Sequence, residues 1–181
     1  MELKNRDQNR RVHTRRMVMA AFLAALAFVA TKFLAFPLPT GYANLGDCFA
    51  FLAGFLLGGP WGAAAAGIGI AMADVLSPYV IYAPATLIIK AFIALCGAFA
   101  AKYAAAGKIR FFVFTTAAIL GEVMMVLGYF FFESVFLGVG EAALASVPGN
   151  LTQALFGAVT SVILAVVFTT NKKLSAMIKK D

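Results

Sequence analysis

The sequence is poor in the residues that enzymes most often use for chemistry. Its 181 residues include one histidine, His13, and two cysteines, Cys48 and Cys96. His13 lies in a polar N-terminal stretch, so the sequence predicts no membrane-embedded catalytic triad and no histidine metal site. The cysteines lie in separate apolar runs without CxxC spacing, which is typical of packing residues. Because P-loop and GxSxG motifs are also missing, we expect no catalytic residue, no metal and no cofactor.

Charged residues are few as well. They make up 13% of the chain, while 62% of the residues are hydrophobic. A soluble domain has about a quarter charged and about half apolar residues, so this composition indicates an all-α integral membrane protein. The length allows six spans of ~20 residues and no additional soluble domain. We therefore predict a single membrane domain over residues 1–181, with a basic tail or short interfacial helix at 1–16 and spans at about 17–36, 45–57, 61–76, 84–103, 111–136 and 151–170.

The net charge of +7 comes from basic residues that lie beside the apolar runs. Six of the 15 lysines and arginines lie in the first 16 positions and four in the last ten, and Lys102, Lys108 and Arg110 flank one internal junction. The connecting segments at 37–44, 77–83 and 134–150 contain none. The positive-inside rule then places both termini in the cytoplasm and these three segments outside. This distribution accounts for the charge without nucleic-acid binding.

The polar residues inside the spans indicate a binding pocket. A charge in hydrocarbon costs ~2.5–3.5 kcal/mol, so such residues usually face a cavity or a partner. At ~1.5 Å per residue, nearly all of them fall in the outer halves of the spans, and Glu122 lies near the middle of its span. A channel or proton relay would need polar groups down to the inner face, so we predict a pocket that opens outward and is closed below. The candidate pocket residues are Tyr42, Asn44, Asp47, Asp74, Tyr79, Tyr82, Lys90, Glu122, Asn150 and Gln153.

Several of these residues have structural alternatives. Asp47 follows a helix start and is suited to capping its first turn, and Asp74 is suited to pairing with Lys90. Lys32, near the outer end of the first span, either reaches the interface or joins the site. The outer tyrosines either anchor the membrane interface or cover a flat heteroaromatic ring.

The first span contains two pairs of alanines four residues apart, Ala20 with Ala24 and Ala21 with Ala25. Small residues at this spacing allow helices to approach closely. The stripe therefore serves either internal packing or contact with another membrane subunit.

These features resemble the substrate-binding S components of energy-coupling factor (ECF) vitamin transporters over the whole chain. The resemblance rests on the basic tail, the Ala-x-x-x-Ala first helix, the Gly- and Ala-rich third span that ends in Asp74, and the segments NLGD (44–47), YAPATLIIK (82–90) and VPGNLTQ (147–153). The chain is most similar to the hydroxymethylpyrimidine and pyridoxine branch.

The resemblance implies a non-enzymatic subunit in the plasma membrane of a prokaryote, which binds a vitamin or precursor at the outer face. Uptake would require a scaffold membrane subunit that docks on the alanine stripe and two cytoplasmic ATPases. The segment 37–44 would be a gate over the pocket. The implied pocket residues are Asn44, Asp47, Tyr82, Lys90, Asn150 and Gln153, to which the depth argument adds Tyr42, Tyr79 and Glu122.

Two other function classes remain open. An ion-coupled secondary transporter would move a small polar solute without ATPases, although the apolar inner half argues against it. A structural subunit would bind no small molecule and would leave the buried charges unexplained.

Overall fold

Six α-helices dominate the part of the chain that the computed structural model describes, which is residues 2–38, 41–103, 108–171 and 173–174. They are α1 (Glu2–Phe33), α2 (Gly46–Leu57), α3 (Gly59–Val75), α4 (Ala83–Tyr103), α5 (Lys108–Phe131) and α6 (Val147–Thr170). Four helical segments are long and apolar enough to cross a membrane: Arg10–Phe33, Val80–Tyr103, Ile109–Phe136 and Gly140–Thr170. The predicted all-α membrane fold with six helices is confirmed.

α1 differs from the prediction at both ends. It already begins at Glu2, so the basic stretch continues the first span without a break. No glycine or proline interrupts residues 2–36, which explains the continuity. The helix ends at Phe33 and not at Phe36, because Pro37 disfavours helical backbone in the residue before it.

A short β-hairpin follows α1, where the sequence predicted only a loop. β1 (Ala35–Leu38) and β2 (Gly41–Asn44) are antiparallel, and Ala35 lies opposite Asn44. Residues 39 and 40, between the strands, lie outside the described part of the chain. The hairpin returns the chain to the start of α2, so the end of β2 lies against the helix bundle.

α2 forms the centre of the bundle. It has only 12 residues, fewer than the ~20 that a full span requires, and ten of them are buried. It packs against α1, α3, α4 and α6, so neighbouring helices separate it from lipid. Gly58, at a φ of 79°, makes the turn into α3, and Pro60 lies in the first turn of that helix, where a proline is well tolerated.

Glycines permit α2 and α4 to approach closely. A methyl group at Gly54 would lie 1.6 Å from the carbonyl oxygen of Ala94, and one at Gly97 would lie 2.0 Å from that of Phe51. Each glycine therefore contacts the backbone of the opposite helix, which brings polar side chains on α2 and α4 within reach of each other.

The C-terminal half contains a π-helical turn that the sequence did not reveal. α5 ends at Phe131, and Phe132–Phe136 continues it as a π-helix, in which Leu137 N donates to Phe132 O. A 3₁₀-helix, Gly140–Ala145, leads to α6. α6 begins at Val147, four residues before the predicted start, because Pro148 is well suited to a first helical turn.

Replacing Gly54 with alanine should destabilise the fold, because the added methyl group has no space. Overpacking costs ~1–3 kcal/mol, and we expect the melting temperature in detergent to fall by several degrees. Gly121→Ala is the control, since its nearest neighbours would be 3.5 Å away and alanine favours a helix. Equal melting temperatures for the two variants would contradict the packing described for α2 and α4.

Candidate functional site

A cavity of about 190 Å³ lies at the end of the bundle where α2, α4 and α6 begin and α1, α3 and α5 end. Five of the six helices, the end of β2 and the segments before α4 and α6 contribute its lining, so its shape depends on most of the fold. The lining residues are Thr31, Asn44, Ile70, Asp74, Tyr79, Tyr82, Thr86, Lys90, Met125, Tyr129, Glu133, Ser146, Gly149, Asn150 and Gln153.

A buried ion pair forms the floor of the cavity. Lys90 Nζ lies 2.5 Å from Asp47 Oδ1, and the two side chains are 6% and 0% exposed. The same ammonium lies 5.4 Å from the centroid of the Tyr129 ring. Asp47 is in the first turn of α2 and Lys90 is in the second turn of α4, so the pair joins the two closely packed helices.

Gln153 connects this floor to the hairpin. Its Nε2 donates to Asp47 Oδ2 and also to the carbonyl oxygen of Asn44, 3.1 Å away. Its Oε1 accepts from the backbone N–H of Asn44 at 2.7 Å. One side chain on α6 therefore satisfies both backbone groups of the last residue of β2, and Asn44 Oδ1 accepts from Gly46 N at the start of α2.

Glu122 lies below the cavity. It is 3% exposed, and in the described part of the chain its Oε2 has no hydrogen-bond partner. A methyl group at Gly157 would lie 2.3 Å from Glu122 Oε1 and 3.1 Å from the Asp47 Cβ, so the glycine on α6 leaves space for the two acidic side chains. Glu122 therefore adds a second buried acid beside Asp47.

On one wall of the cavity, Asp74, Thr86 and Tyr129 form a chain of hydrogen bonds. Thr86 Oγ1 donates to Asp74 Oδ2 at 2.5 Å and lies 2.9 Å from the Tyr129 hydroxyl oxygen. The chain joins α3, α4 and α5, and Asp74 and Thr86 are 5% and 0% exposed.

On another wall, Glu133 accepts two hydroxyl hydrogen bonds. The Tyr82 hydroxyl donates to its Oε1 at 3.2 Å, and the Ser146 hydroxyl donates to its Oε2. Glu133 lies in the π-helical turn and is buried, which accords with the frequent placement of π-turns at functional sites. The Tyr82 ring lies 6.2 Å from that of Tyr129 and 6.3 Å from that of Tyr79, so three tyrosines border this wall.

Comparison with known proteins agrees with this architecture. A family model described as "ECF-type riboflavin transporter, S component" matches residues 11–170. The chain belongs to the ECF transporter S-component family. It is also 33% identical over 131 residues to an uncharacterized protein in a gap 3′ region of Pyrococcus woesei, and the match covers 71% of this chain and 84% of that protein. S components are membrane-embedded, substrate-binding transporter subunits, not enzymes, and they work with a scaffold subunit and ATPases.

The fold of this S component brings most of the predicted pocket residues together. Seven of them line the cavity: Asn44, Asp74, Tyr79, Tyr82, Lys90, Asn150 and Gln153. Asp47 and Glu122 lie beneath its floor. The backbone of Tyr42 belongs to β2, but its side chain lies outside the described part of the structure. Asp47 lies inside the first turn of α2, whose N-cap is Leu45, and it accepts from Lys90 and Gln153. Among the described residues Lys90 pairs with Asp47 and not with Asp74, so neither structural alternative is observed there.

Lys32 does not line this cavity. Its Nζ donates to the carbonyl oxygen of Leu76 at 2.7 Å, at the end of α3. It lines an adjacent cavity of about 200 Å³, which also contacts Asp74 and Tyr79.

Sequence reasoning missed several residues that line the cavity, above all Thr86, Tyr129, Glu133 and Ser146. Thr86 lies one turn before Lys90, and helical spacing places Met125, Tyr129 and Glu133 on the same face as Glu122. The spacing was therefore a usable signal for Thr86 and Tyr129. Ser146 carried no such signal, because its position follows from the π-helical turn and the 3₁₀-helix.

Breaking the buried ion pair should destabilise the protein more than removing both charges. Lys90→Met leaves Asp47 unpaired in a dry site, and such losses cost ~3–5 kcal/mol. The double variant with Asp47→Asn should be more stable than the sum of the single effects by about 1 kcal/mol or more, measured by unfolding in detergent. Lys102→Met, an exposed lysine in the last turn of α4, is the control and should change little. Strictly additive effects would contradict the coupling.

Proposed function

We propose that this chain captures a small single-ring vitamin or vitamin precursor, of the pyridoxine or hydroxymethylpyrimidine type, for ATP-driven uptake by an ECF transporter. The cavity supports this proposal, because it combines buried hydrogen-bonding groups with a tyrosine cluster at one end of a membrane bundle. Ligand sites usually combine apolar or aromatic walls with a few placed polar groups.

The size of the cavity favours a small ligand. A volume of about 190 Å³ is below the ~300–1,000 Å³ of pockets that hold drug-sized molecules. One ring with short polar substituents fits such a volume better than three fused rings with a sugar-like chain do. We therefore rank riboflavin second, although the description of the matching family model favours it.

The proposed orientation directs the cavity outward in the plasma membrane of a prokaryote. Lys102, Lys108 and Arg110 lie at the ends of α4 and α5 that are opposite the cavity. Because basic residues mark the cytoplasmic side, the cavity would receive its ligand from outside the cell.

The proposed roles of the polar residues follow from their contacts. Asp47 neutralises Lys90, and an ammonium has three N–H donors, so Lys90 can also donate to a hydroxyl group or ring nitrogen of the ligand. Asn150 Nδ2 is buried, lines the cavity and has no hydrogen-bond partner among the described residues, so it is a second donor for the ligand. Tyr82 or Tyr129 would cover the ring face.

We place the docking face for the scaffold on the alanine stripe of α1. Ala21 and Ala25 are exposed, whereas Ala20 is buried. Ala24 lies against α3, where a methyl group at Gly69 would approach its carbonyl oxygen to 2.3 Å. Ala20 and Ala24 would therefore fix α1 on the bundle, and Ala21 and Ala25 would offer a flat surface to the scaffold.

Ligand binding can be tested by native mass spectrometry of the purified protein, followed by titration of each candidate. We expect one vitamin-type molecule per chain. Lys90→Ala should weaken its binding by about tenfold or more, because a charge-assisted hydrogen bond is lost. Lys102→Ala is the control. An affinity within about twofold of wild type for a folded Lys90→Ala protein would contradict the assigned role.

Docking can be tested separately from binding. Ala25→Leu should reduce co-purification with the scaffold and ATPases and abolish uptake, while ligand affinity stays unchanged, because the bulky side chain prevents close helix contact. Thr116→Leu, an exposed position on α5, is the matched control. Uptake into vesicles by this chain alone, without ATPases, would instead indicate the ion-coupled secondary transporter.

A further inference from the structure

Acidic groups outnumber basic groups around the cavity. Asp74 and Glu133 lie on its walls, and Asp47 and Glu122 lie beneath its floor. Among the described residues that line it, Lys90 is the only cation. Four carboxyl groups therefore lie around one ammonium group at this end of the bundle.

The charge of Lys90 is already compensated. Its ammonium forms the buried ion pair with Asp47, and Glu122 is a further acid beside that carboxylate. A ligand anion would therefore meet a neutralised lysine and an excess of acids, and not a positively charged pocket. Lys32 does not change this balance, because it donates to the Leu76 carbonyl and lines the adjacent cavity.

The two wall acids bind hydroxyl groups and no cation. Asp74 accepts from Thr86, and Glu133 accepts from Tyr82 and Ser146. The described residues place no lysine or arginine nitrogen within 4 Å of either carboxylate. Asp74 and Glu133 are 5% and 8% exposed, and a buried charge without a counter-charge is costly.

The tyrosine rings between these two acids also favour positive charge in the cavity. Tyr82 donates to Glu133, and its ring lies beside that of Tyr129. The Tyr129 hydroxyl oxygen lies 2.9 Å from that of Thr86, which donates to Asp74. Tyrosine rings attract cations through their electron-rich faces, and aromatic rings combined with carboxylates are a common environment for bound ammonium groups. The wall thus combines two independent features that favour positive charge.

We propose that the cavity selects an organic cation with a primary ammonium group, which Asp74 and Glu133 bind with the tyrosines around it. This inference rests on the proposed capture function and narrows its substrate class. It disfavours vitamins whose only charge is a carboxylate or a phosphate, because these would meet four carboxyl groups and one lysine whose charge is already paired.

A charge series on one ring tests the proposal. Pyridoxamine, pyridoxine and 4-pyridoxic acid share a ring and carry an amine, a hydroxyl or a carboxylate at the same carbon. The aminomethyl, hydroxymethyl and carboxylic acid forms of 4-amino-2-methylpyrimidine form a second series. We expect the amine to bind about tenfold more tightly than the alcohol in the series whose ring fits, and the acid to bind more weakly than both, measured by isothermal titration at neutral pH.

Neutral isosteres of the two wall acids provide the residue-level test. Asp74→Asn and Glu133→Gln should each weaken binding of the amine by about tenfold and change binding of the alcohol by less than about threefold. Asp74→Asn retains an oxygen that accepts from Thr86, whereas the amide of Glu133→Gln accepts from one of its two hydroxyl partners and donates to the other. Either variant is sufficient if the other does not fold. Glu141→Gln removes the same charge from an exposed position in the 3₁₀-helix and should have no effect.

The possible outcomes separate the two proposals. Tighter binding of the amine that depends on Asp74 or Glu133 supports the inference. Equal binding of all members of a series overturns the inference and leaves the capture of a single-ring vitamin intact. Binding of only riboflavin or pantothenate from a wider panel overturns both the inference and the single-ring assignment, and leaves capture of a vitamin as such intact. If no compound binds and none co-purifies, both proposals are wrong.

Discussion

The ion pair between Lys90 and Asp47 is the constraint on which the rest of the structure depends. Two charges this deeply buried must lie close together with their remaining hydrogen bonds satisfied, since either one alone would be strongly unfavourable. The pair therefore fixes the relative position of α2 and α4. Glycines make this position possible, because Gly54 and Gly97 let each backbone contact the other helix. Close packing and charge pairing are two parts of one arrangement.

This arrangement also explains why so short a helix lies at the centre of a membrane protein. α2 is surrounded by other helices, so its length need not match the bilayer. Its first turn lies below the surface of the bundle, and the hairpin fills the level above it. The cavity forms at this level, where the ends of six helices surround a buried polar floor.

Hydropathy and basic clusters predicted the six helices because the cost of charge in hydrocarbon acts on each residue separately. The end of the bundle that carries the cavity could be predicted for the same reason, from the depth of Asp74 and Lys90. The hairpin and the π-helical turn could not, since both depend on how distant segments meet. Tyr129 shows why part of the site escaped prediction. Aromatic residues near the end of a span usually face the membrane interface, but the orientation of α5 about its own axis turns Tyr129 inward, where its hydroxyl contacts Thr86. For Asp47, the position near the start of a helix left open a role in capping the first turn of α2. Its hydrogen-bond partners lie instead on α4 and α6.

Gln153 connects the buried ion pair to the hairpin. Its amide binds the Asp47 carboxylate on one side and both backbone groups of Asn44 on the other. The end of β2 is therefore joined to the carboxylate of the buried ion pair through a single side chain. An amide is suited to this position, because it donates and accepts at once and carries no charge of its own. A carboxylate at position 153 would repel Asp47, and an apolar residue would leave the Asn44 backbone unsatisfied. The hairpin is therefore attached to the bundle through the same polar network that forms the floor of the cavity.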